Sequence, residues 1–187
     1  PQTHHYKAVK HYFAYLKYTT NCWLQLGSTN TLKLQGYCDA DRRMTEGHKV
    51  INSYVFQLAK STISWSSKWQ NLVPLSVYEA ELQALAYATQ EAIWLKRFAE
   101  EVLQTESAPI TIYCDNQGAI KTVKSDKIMY NTHTKHLDLQ KDFVQCYIQN
   151  EYINVCYVQS QNQLADILMK ALHILQIKHL NKLLGIQ

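Results

Sequence analysis

Apolar positions along this chain change their spacing several times, and each change marks an element. Tyr6, Val9, Phe13 and Leu16 recur every three to four residues, which predicts an amphipathic helix over about Thr3 to Tyr18 with lysines on its flanks. Thr19 to Asn30 reads as a connection with one short strand. The spacing then drops to two. Leu32 to Asp39, Ile51 to Ala59 and Ser61 to Ser66 read as strands, with the polar Asp41 to Lys49 stretch as a turn, and such close packing of strands favours an antiparallel meander. Leu75 to Leu103 is the longest helical run, and Ser76 with Glu79 at its start matches a capping box. A strand over 110–114, a short helix from about Asn116 to Lys124, a helix around His133 to Asn150, a strand from Tyr152 to Val158 and terminal helices from about Asn162 complete the order. There is no internal repeat. The succession implies an α/β fold, a mixed sheet covered by helices.

Bulk properties narrow this further. The 187 residues suffice for one generous domain, or one domain with an appendage. An opening on Pro1 reads as a piece of a longer polypeptide. No apolar run approaches the roughly 18 residues of a membrane span and no signal-peptide pattern opens the chain, so a soluble, non-secreted protein without membrane contact is expected. Five cysteines, odd in number and without a C-x-x-C pair, argue against a disulfide framework and against structural zinc. The net charge is +4, and no acid precedes Asp39 whereas Lys7, Lys10, Lys17 and Lys33 do. That basic opening suits a polyanionic partner, and a solvated helix face explains it equally well.

The chemistry lies in the acids. In Ile110 to Asp115, alternation puts Ile110, Ile112 and Cys114 on one face and Thr111, Tyr113 and Asp115 on the other. Leu32 to Asp39 repeats the pattern: Leu32, Leu34 and Cys38 share a face, and Lys33, Tyr37 and Asp39 take the opposite one. Two Tyr-Cys-Asp strand ends can bring two carboxylates together. Glu79 and Glu81 point to nearly opposite sides of their helix. Glu81 lies on the stripe of Ala84, Leu85, Ala88, Ala92 and Leu95 that must pack on the sheet, while Glu79 aligns with Gln83, Ala86, Gln90 and Arg97 and already has a capping role. An acid on a buried stripe needs a partner, which favours Glu81. Asp166 stands near the start of a helix, where the macrodipole accommodates an acid in any case. Asp41, Asp126, Asp138 and Asp142 read as solvated.

Suppose Asp39, Glu81, Asp115 and Asp166 converge. Two like charges about 4 Å apart repel by roughly 4 kcal/mol at an effective dielectric of 20, so protons or cations must neutralise such a cluster. All-oxygen ligands suit Mg²⁺, or Mn²⁺, and a pair of such ions activates water and stabilises the leaving oxygen of a phosphodiester. The implied chemistry is phosphodiester hydrolysis.

The blocks that carry these acids also share a family likeness. LKLQGYCDAD, INSYVFQLAKSTISWSSKWQNLVPLSVYEAELQALAYATQEAIWLKR, PITIYCDNQGAIK, THTKHLDL and VQSQNQLADILMKAL resemble the ribonuclease H domain of copia-type retrotransposon polyproteins over nearly the whole chain. The opening HHYKAVKHYFAYLKYT resembles the helix that follows the polymerase in those polyproteins. The resemblance implies an RNase H-like fold, a five-stranded mixed sheet flanked by helices, here with an extra N-terminal helix. It divides the chain into residues 1–30, helix and linker from the polymerase side, and 31–187, the RNase H-like domain. It also implies metal-dependent cleavage of the RNA strand of RNA–DNA hybrids with two Mg²⁺ ions, a reverse transcriptase polymerase in the same polyprotein, no small-molecule cofactor, and a cytoplasmic virus-like particle as location. Carried over block by block, the metal-binding and catalytic acids are Asp39, Glu81, Asp115 and Asp166. Asp39 would bridge the ions, Glu81 and Asp115 would join it on one, and Asp166 would join it on the other.

Departures from the family pattern are Arg42 after Asp41, Ser53 where glycine is usual, and Tyr78 where threonine is usual. They leave an alternative open, a catalytically weak or inactive, host-adopted nucleic-acid-binding domain. Expected hybrid contacts are Asn116, Gln117, His133, Lys135 and His136, with Lys68, Trp69 and Gln70 as further donors, although His133 and His136 could instead cap a helix. His4, His5 and His11 read as surface residues. A transposase or integrase places its decisive glutamate after two aspartates, whereas here the glutamate comes second. A non-catalytic connection-type module would normally have lost an acid, and all four are present.

Overall fold

The computed structural model describes residues 2–27, 32–41, 50–71, 73–104, 108–125 and 135–187, with 135 and 136 described by backbone alone. Helix α1 (Thr3–Tyr18) has the predicted bounds, but none of its residues is buried. Its apolar stripe of Tyr6, Val9, Phe13 and Leu16 is exposed. The short strand expected in the following connection is a single bridge between Leu24 and Ile186. Trp23 and Gln187 exchange backbone hydrogen bonds of 2.9 and 3.0 Å, which ties this connection to the end of the chain.

Strands β1 (Leu34–Asp41), β2 (Ile51–Leu58) and β3 (Ser61–Trp69) form the expected antiparallel meander. Strands β4 (Ile110–Cys114) and β5 (Ile153–Tyr157) extend it in parallel from β1, giving the order β3-β2-β1-β4-β5. β3 runs three residues beyond its predicted end because Ile51, the first residue of β2, pairs with Trp69. A backbone ladder continues as far as its partner does, whatever the side chains, and Ser67 and Lys68 carry no apolar signal. The predicted turn over 41–49 starts one residue late, since Asp41 closes β1; residues 42–49 lie outside the described residues.

Helix α2 (Val77–Leu103) begins at Ser76, whose hydroxyl accepts from the Glu79 amide at 3.1 Å. The Glu79 carboxylate accepts instead from Leu75 N–H at 2.7 Å, one residue before the N-cap position of a regular capping box. The main core lies between one sheet face and helices α2, α3 (Gln117–Val123) and α4 (Lys135–Gln149), and includes Cys38, Phe56, Leu82, Leu85, Ile112, Val144 and Val155. Gln83 and Ala86, assigned from sequence to the outward row of α2, are buried. Contact between α2 and α4 accounts for this, and single-helix periodicity cannot foresee it. On the opposite sheet face, helix α5 (Ile174–Leu184) brings Leu180 and Leu184 against Val55 and Leu164. Gly36 is required where it stands, because a Cβ there would run into the Phe56 ring across the strand pair. No helix among the described residues is long and apolar enough to cross a membrane.

The β2–β3 hairpin turns on Ala59 and Lys60, both left-handed at φ 52° and 63°. A two-residue turn with both φ positive favours Asn-Gly, and an ordinary residue there costs about 1 kcal/mol. Lys60→Gly is therefore expected to raise stability by about that amount, or roughly 2–4 °C in Tm for a domain of this size. A melting temperature unchanged or lowered would show that the Lys60 side chain stabilises the turn by other means.

Candidate active site

The sheet supplies the first two acids. Tyr37 and Tyr113 are paired across the parallel β1–β4 ladder, and their rings stack with centroids 5.0 Å apart. Two residues further along come Asp39, still in β1, and Asp115, one residue past the end of β4. Parallel strands lie about 4.8 Å apart, so the β1–β4 register leads both carboxyls to the same edge of the sheet. Glu81 arrives from the second turn of α2. Ala40, Val50, Ala80 and Ala84 form a small cluster where that helix meets β1, and the short side chains permit a close approach. Asp166 sits on a 3-10 turn, Leu164–Leu168, in place of the regular helix read from sequence.

Two buried polar contacts hold that turn to the sheet. Gln163, fully buried, donates from Nε2 to Cys38 O at 2.9 Å, and Ser53 Oγ donates to Ala165 O at 3.0 Å. Ser53 pairs with Asp39 across β1 and β2, so the departure from the usual glycine adds a hydroxyl that links the strands to the turn bearing Asp166. The Tyr78 departure packs against the main core, and Arg42 lies outside the described residues.

Asp39 is the hub of the cluster. It is 1 % exposed, with Asp166, Glu81 and Asp115 as neighbours. Burial, its contact with Asp166 and the charge of Asp115 push its carboxyl up to about 7, even though Lys170 pulls the other way. Burial and then the neighbouring Asp39, Cys114 and Asp115 push Glu81 up to about 11. Oxygens of Glu81 and Asp115 and the Cys114 sulfur all lie within 4.8 Å of one another. The Cys114 thiol is wholly buried, free, and accepts from the Asn116 amide at 3.4 Å, and its soft sulfur is a poor ligand for a hard ion, so the hard-donor set is the four carboxyls. Asp115, less buried than the others, accepts from Ser160 Oγ at 2.8 Å.

The four acids chosen from sequence thus meet. Of the others, Asp41 is half-buried at the end of β1, Asp142 is exposed and Asp138 half-buried on α4, and Asp126 lies outside the described residues. The predicted hybrid contacts fare unevenly. Asn116 spends its Oδ1 on the Ala119 amide, at 2.9 Å, as the N-cap of α3, while Gln117 is exposed. His133 lies outside the described residues, and for Lys135 and His136 only the backbone at the start of α4 is described. Lys68, Trp69 and Gln70 line a groove of about 630 Å³ between the end of β3, α2 and α4, together with Asn52, Gln83 and Phe143. None of the four acids lines it; one of its lining residues, Asn52, pairs with Ala40, the residue after Asp39. Gln70 Oε1 and Gln83 Nε2 are buried beside it without hydrogen-bond partners among the described residues.

Lys170 escaped the sequence reading. Its Nζ stands 2.6 Å from Asp39 Oδ2 and 2.7 Å from Asp166 Oδ1. Burial by itself would lower its pKa, but the two aspartates outweigh that and raise it. The signal was available in the i, i+4 spacing of Asp166 and Lys170.

A carboxyl whose native pKa is raised binds its proton more tightly folded than unfolded. Its contribution is complete below the unfolded pKa, 3.8 for Asp39, and is lost as pH rises through about 7. In EDTA, Tm should therefore fall from pH 5 to pH 8 by the equivalent of a few kcal/mol, with Glu81 adding the same sign. Asp39→Asn should reduce that slope; an equal slope in the variant would remove Asp39 as its source.

No family model matches the chain. It is 36% identical over 171 residues to the Retrovirus-related Pol polyprotein from transposon TNT 1-94 of Nicotiana tabacum, covering 91% of this chain and 13% of that polyprotein. It is 33% identical over 187 residues to that from transposon RE2 of Arabidopsis thaliana, 100% of this chain and 13% of the relative. The chain thus spans about an eighth of the length of these relatives. Among solved structures, the N-terminal RNase H domain of a Mycobacterium tuberculosis protein superposes with a TM-score of 0.54 at 14% identity, covering 80% of this chain and 99% of that one. LC11-RNase H1 in complex with RNA/DNA hybrid gives 0.53 at 15% identity, covering 73% of this chain and 93% of that one. The chain is accordingly an RNase H-like domain that matches copia-type retrotransposon Pol polyproteins over most of its length.

Proposed function

We propose that this chain is a metal-dependent endoribonuclease, a ribonuclease H that hydrolyses the RNA strand of RNA–DNA hybrids during retrotransposon reverse transcription. The observation that carries the reading is the meeting of Asp39, Glu81, Asp115 and Asp166 around Asp39. The donor set fits a hard divalent ion, since every proposed ligand is a carboxyl and Glu81 Oε2 is buried with no hydrogen-bond partner among the described residues. Mg²⁺, or Mn²⁺ in its place, would be held by Asp39 with Glu81 and Asp115, and by Asp39 with Asp166. Ions so bound activate a water and stabilise the leaving oxygen of a phosphodiester.

The remaining work belongs to the chain itself. Ser160 orients Asp115, while Ser53 and Gln163 fix the turn that carries Asp166. The groove beside Asn52 offers amide donors and the Lys68 ammonium to one backbone of a duplex, and backbone contacts of this kind position without reading sequence. LC11-RNase H1, which shares the fold, is a hybrid-bound precedent. The relatives are Pol polyproteins, which supports a polymerase as the covalent partner; a cytoplasmic virus-like particle as the place of action is part of the proposal.

Asp115→Asn should lower kcat on a labelled hybrid with Mg²⁺ about a hundredfold or more, equivalent to roughly 2.7 kcal/mol of transition-state stabilisation. Hybrid binding without any metal-dependent cutting by the wild type would favour the non-catalytic binding domain instead. Lys68→Ala combined with Gln83→Met should raise KM roughly tenfold with kcat unchanged, because uniform binding is what the groove supplies. A fall in kcat at constant KM would place the groove's role in the chemical step.

A further inference from the structure

Lys170 raises a question that the acids alone do not. Its ammonium lies 2.6 Å from Asp39 Oδ2 and donates at 2.7 Å to Asp166 Oδ1. A divalent ion held by those two oxygens would stand about 2.1 Å from each, in nearly the same position. Two cations cannot share that space. The lysine is anchored four residues beyond Asp166, next to the 3-10 turn, and its side chain keeps 26% of its surface exposed, which leaves it a way out.

We infer that Lys170 is a tethered monovalent cation that holds Asp39 and Asp166 together and that a divalent ion must displace in order to bind between them. The inference rests on the reading of the four acids as a metal centre. A tethered competitor lowers the apparent affinity of its site by the fraction of time the site is free of it. It also compensates two buried carboxyls that would otherwise repel one another. Removing the charge therefore moves two measurements in opposite directions: stability without divalent ions falls, and divalent affinity rises. A lysine that merely packed against the turn would lower both.

The test is Mn²⁺ titration by calorimetry and thermal melting in EDTA, on the wild type, Lys170→Met and Lys170→Arg. Lys170→Met should lose several degrees of Tm in EDTA and bind Mn²⁺ at least tenfold more tightly. Lys170→Arg, still charged, should bind no more tightly than the wild type. Equal or weaker Mn²⁺ binding by folded Lys170→Met overturns the inference, as does tightening by Lys170→Arg to the same degree. If Lys170→Met fails to fold, the wild type decides: acetylation of the Lys170 amine by acetic anhydride, followed by mass spectrometry, should speed up on saturation with Mn²⁺. An unchanged or slower rate refutes displacement. If neither wild type nor folded Lys170→Met binds Mn²⁺, the metal-centre reading itself fails and takes the inference with it; a wild type that binds as well as Lys170→Met removes only the inference.

Discussion

Mutual repulsion of buried carboxyls is the constraint around which this domain is built. Asp39, Glu81 and Asp166 are each at most 5 % exposed, and Asp115 stands beside them. Left ionised and uncompensated, such a group would work against a stability of only about 5–15 kcal/mol. The chain meets this in two ways. Protons are retained on Asp39 and Glu81 to unusually high pH, and Lys170 lies against Asp39 and Asp166. Arrangements of this kind are rare in a purely structural core, where apolar side chains would serve better. The proposed divalent-ion site would complete the charge balance of the cluster.

Holding the acids together takes rigid parts from distant stretches of chain. Parallel pairing of β1 with β4 aligns two of them, and the aromatic stack of Tyr37 on Tyr113 stiffens the approach. Small residues let α2 descend on β1 and deliver the third. The fourth rides on a turn secured to the sheet by Gln163 and Ser53. Each device uses buried groups with little freedom, which is what a site demanding sub-ångström placement requires. Ser53 is informative here, since a substitution that looked like drift makes a buried hydrogen bond between β2 and the turn.

The surface beside the site carries a polar groove. The groove between β3, α2 and α4 is amide-lined and opens one residue from the acid cluster along the β1–β2 pair. Two of its amides, on Gln70 and Gln83, carry buried polar atoms without partners among the described residues, and such atoms are costly unless something satisfies them. The groove and the acids are separate features joined by the backbone of the β1–β2 pair.

Local pattern was enough to reveal most of the fold and the four acids. Alternation in β1 and β4 put Asp39 and Asp115 opposite the core row, and the helical stripe of α2 singled out Glu81 over Glu79, because these are short-range consequences of backbone period. The Tyr-Cys-Asp repeat made a pair of strand-end carboxyls foreseeable. What sequence left open was decided by contacts between elements. The length of β3 depended on its partner strand, the burial of Gln83 and Ala86 on α4, and the 3-10 form of Leu164–Leu168 lies in a turn held by Gln163 and Ser53. The placement of Lys170 against Asp39, 131 positions away in sequence by the numbering of the two residues, belongs to the same class. Periodicity reports on neighbours along the chain, whereas an ion pair across a fold exists only once the fold has brought its members together.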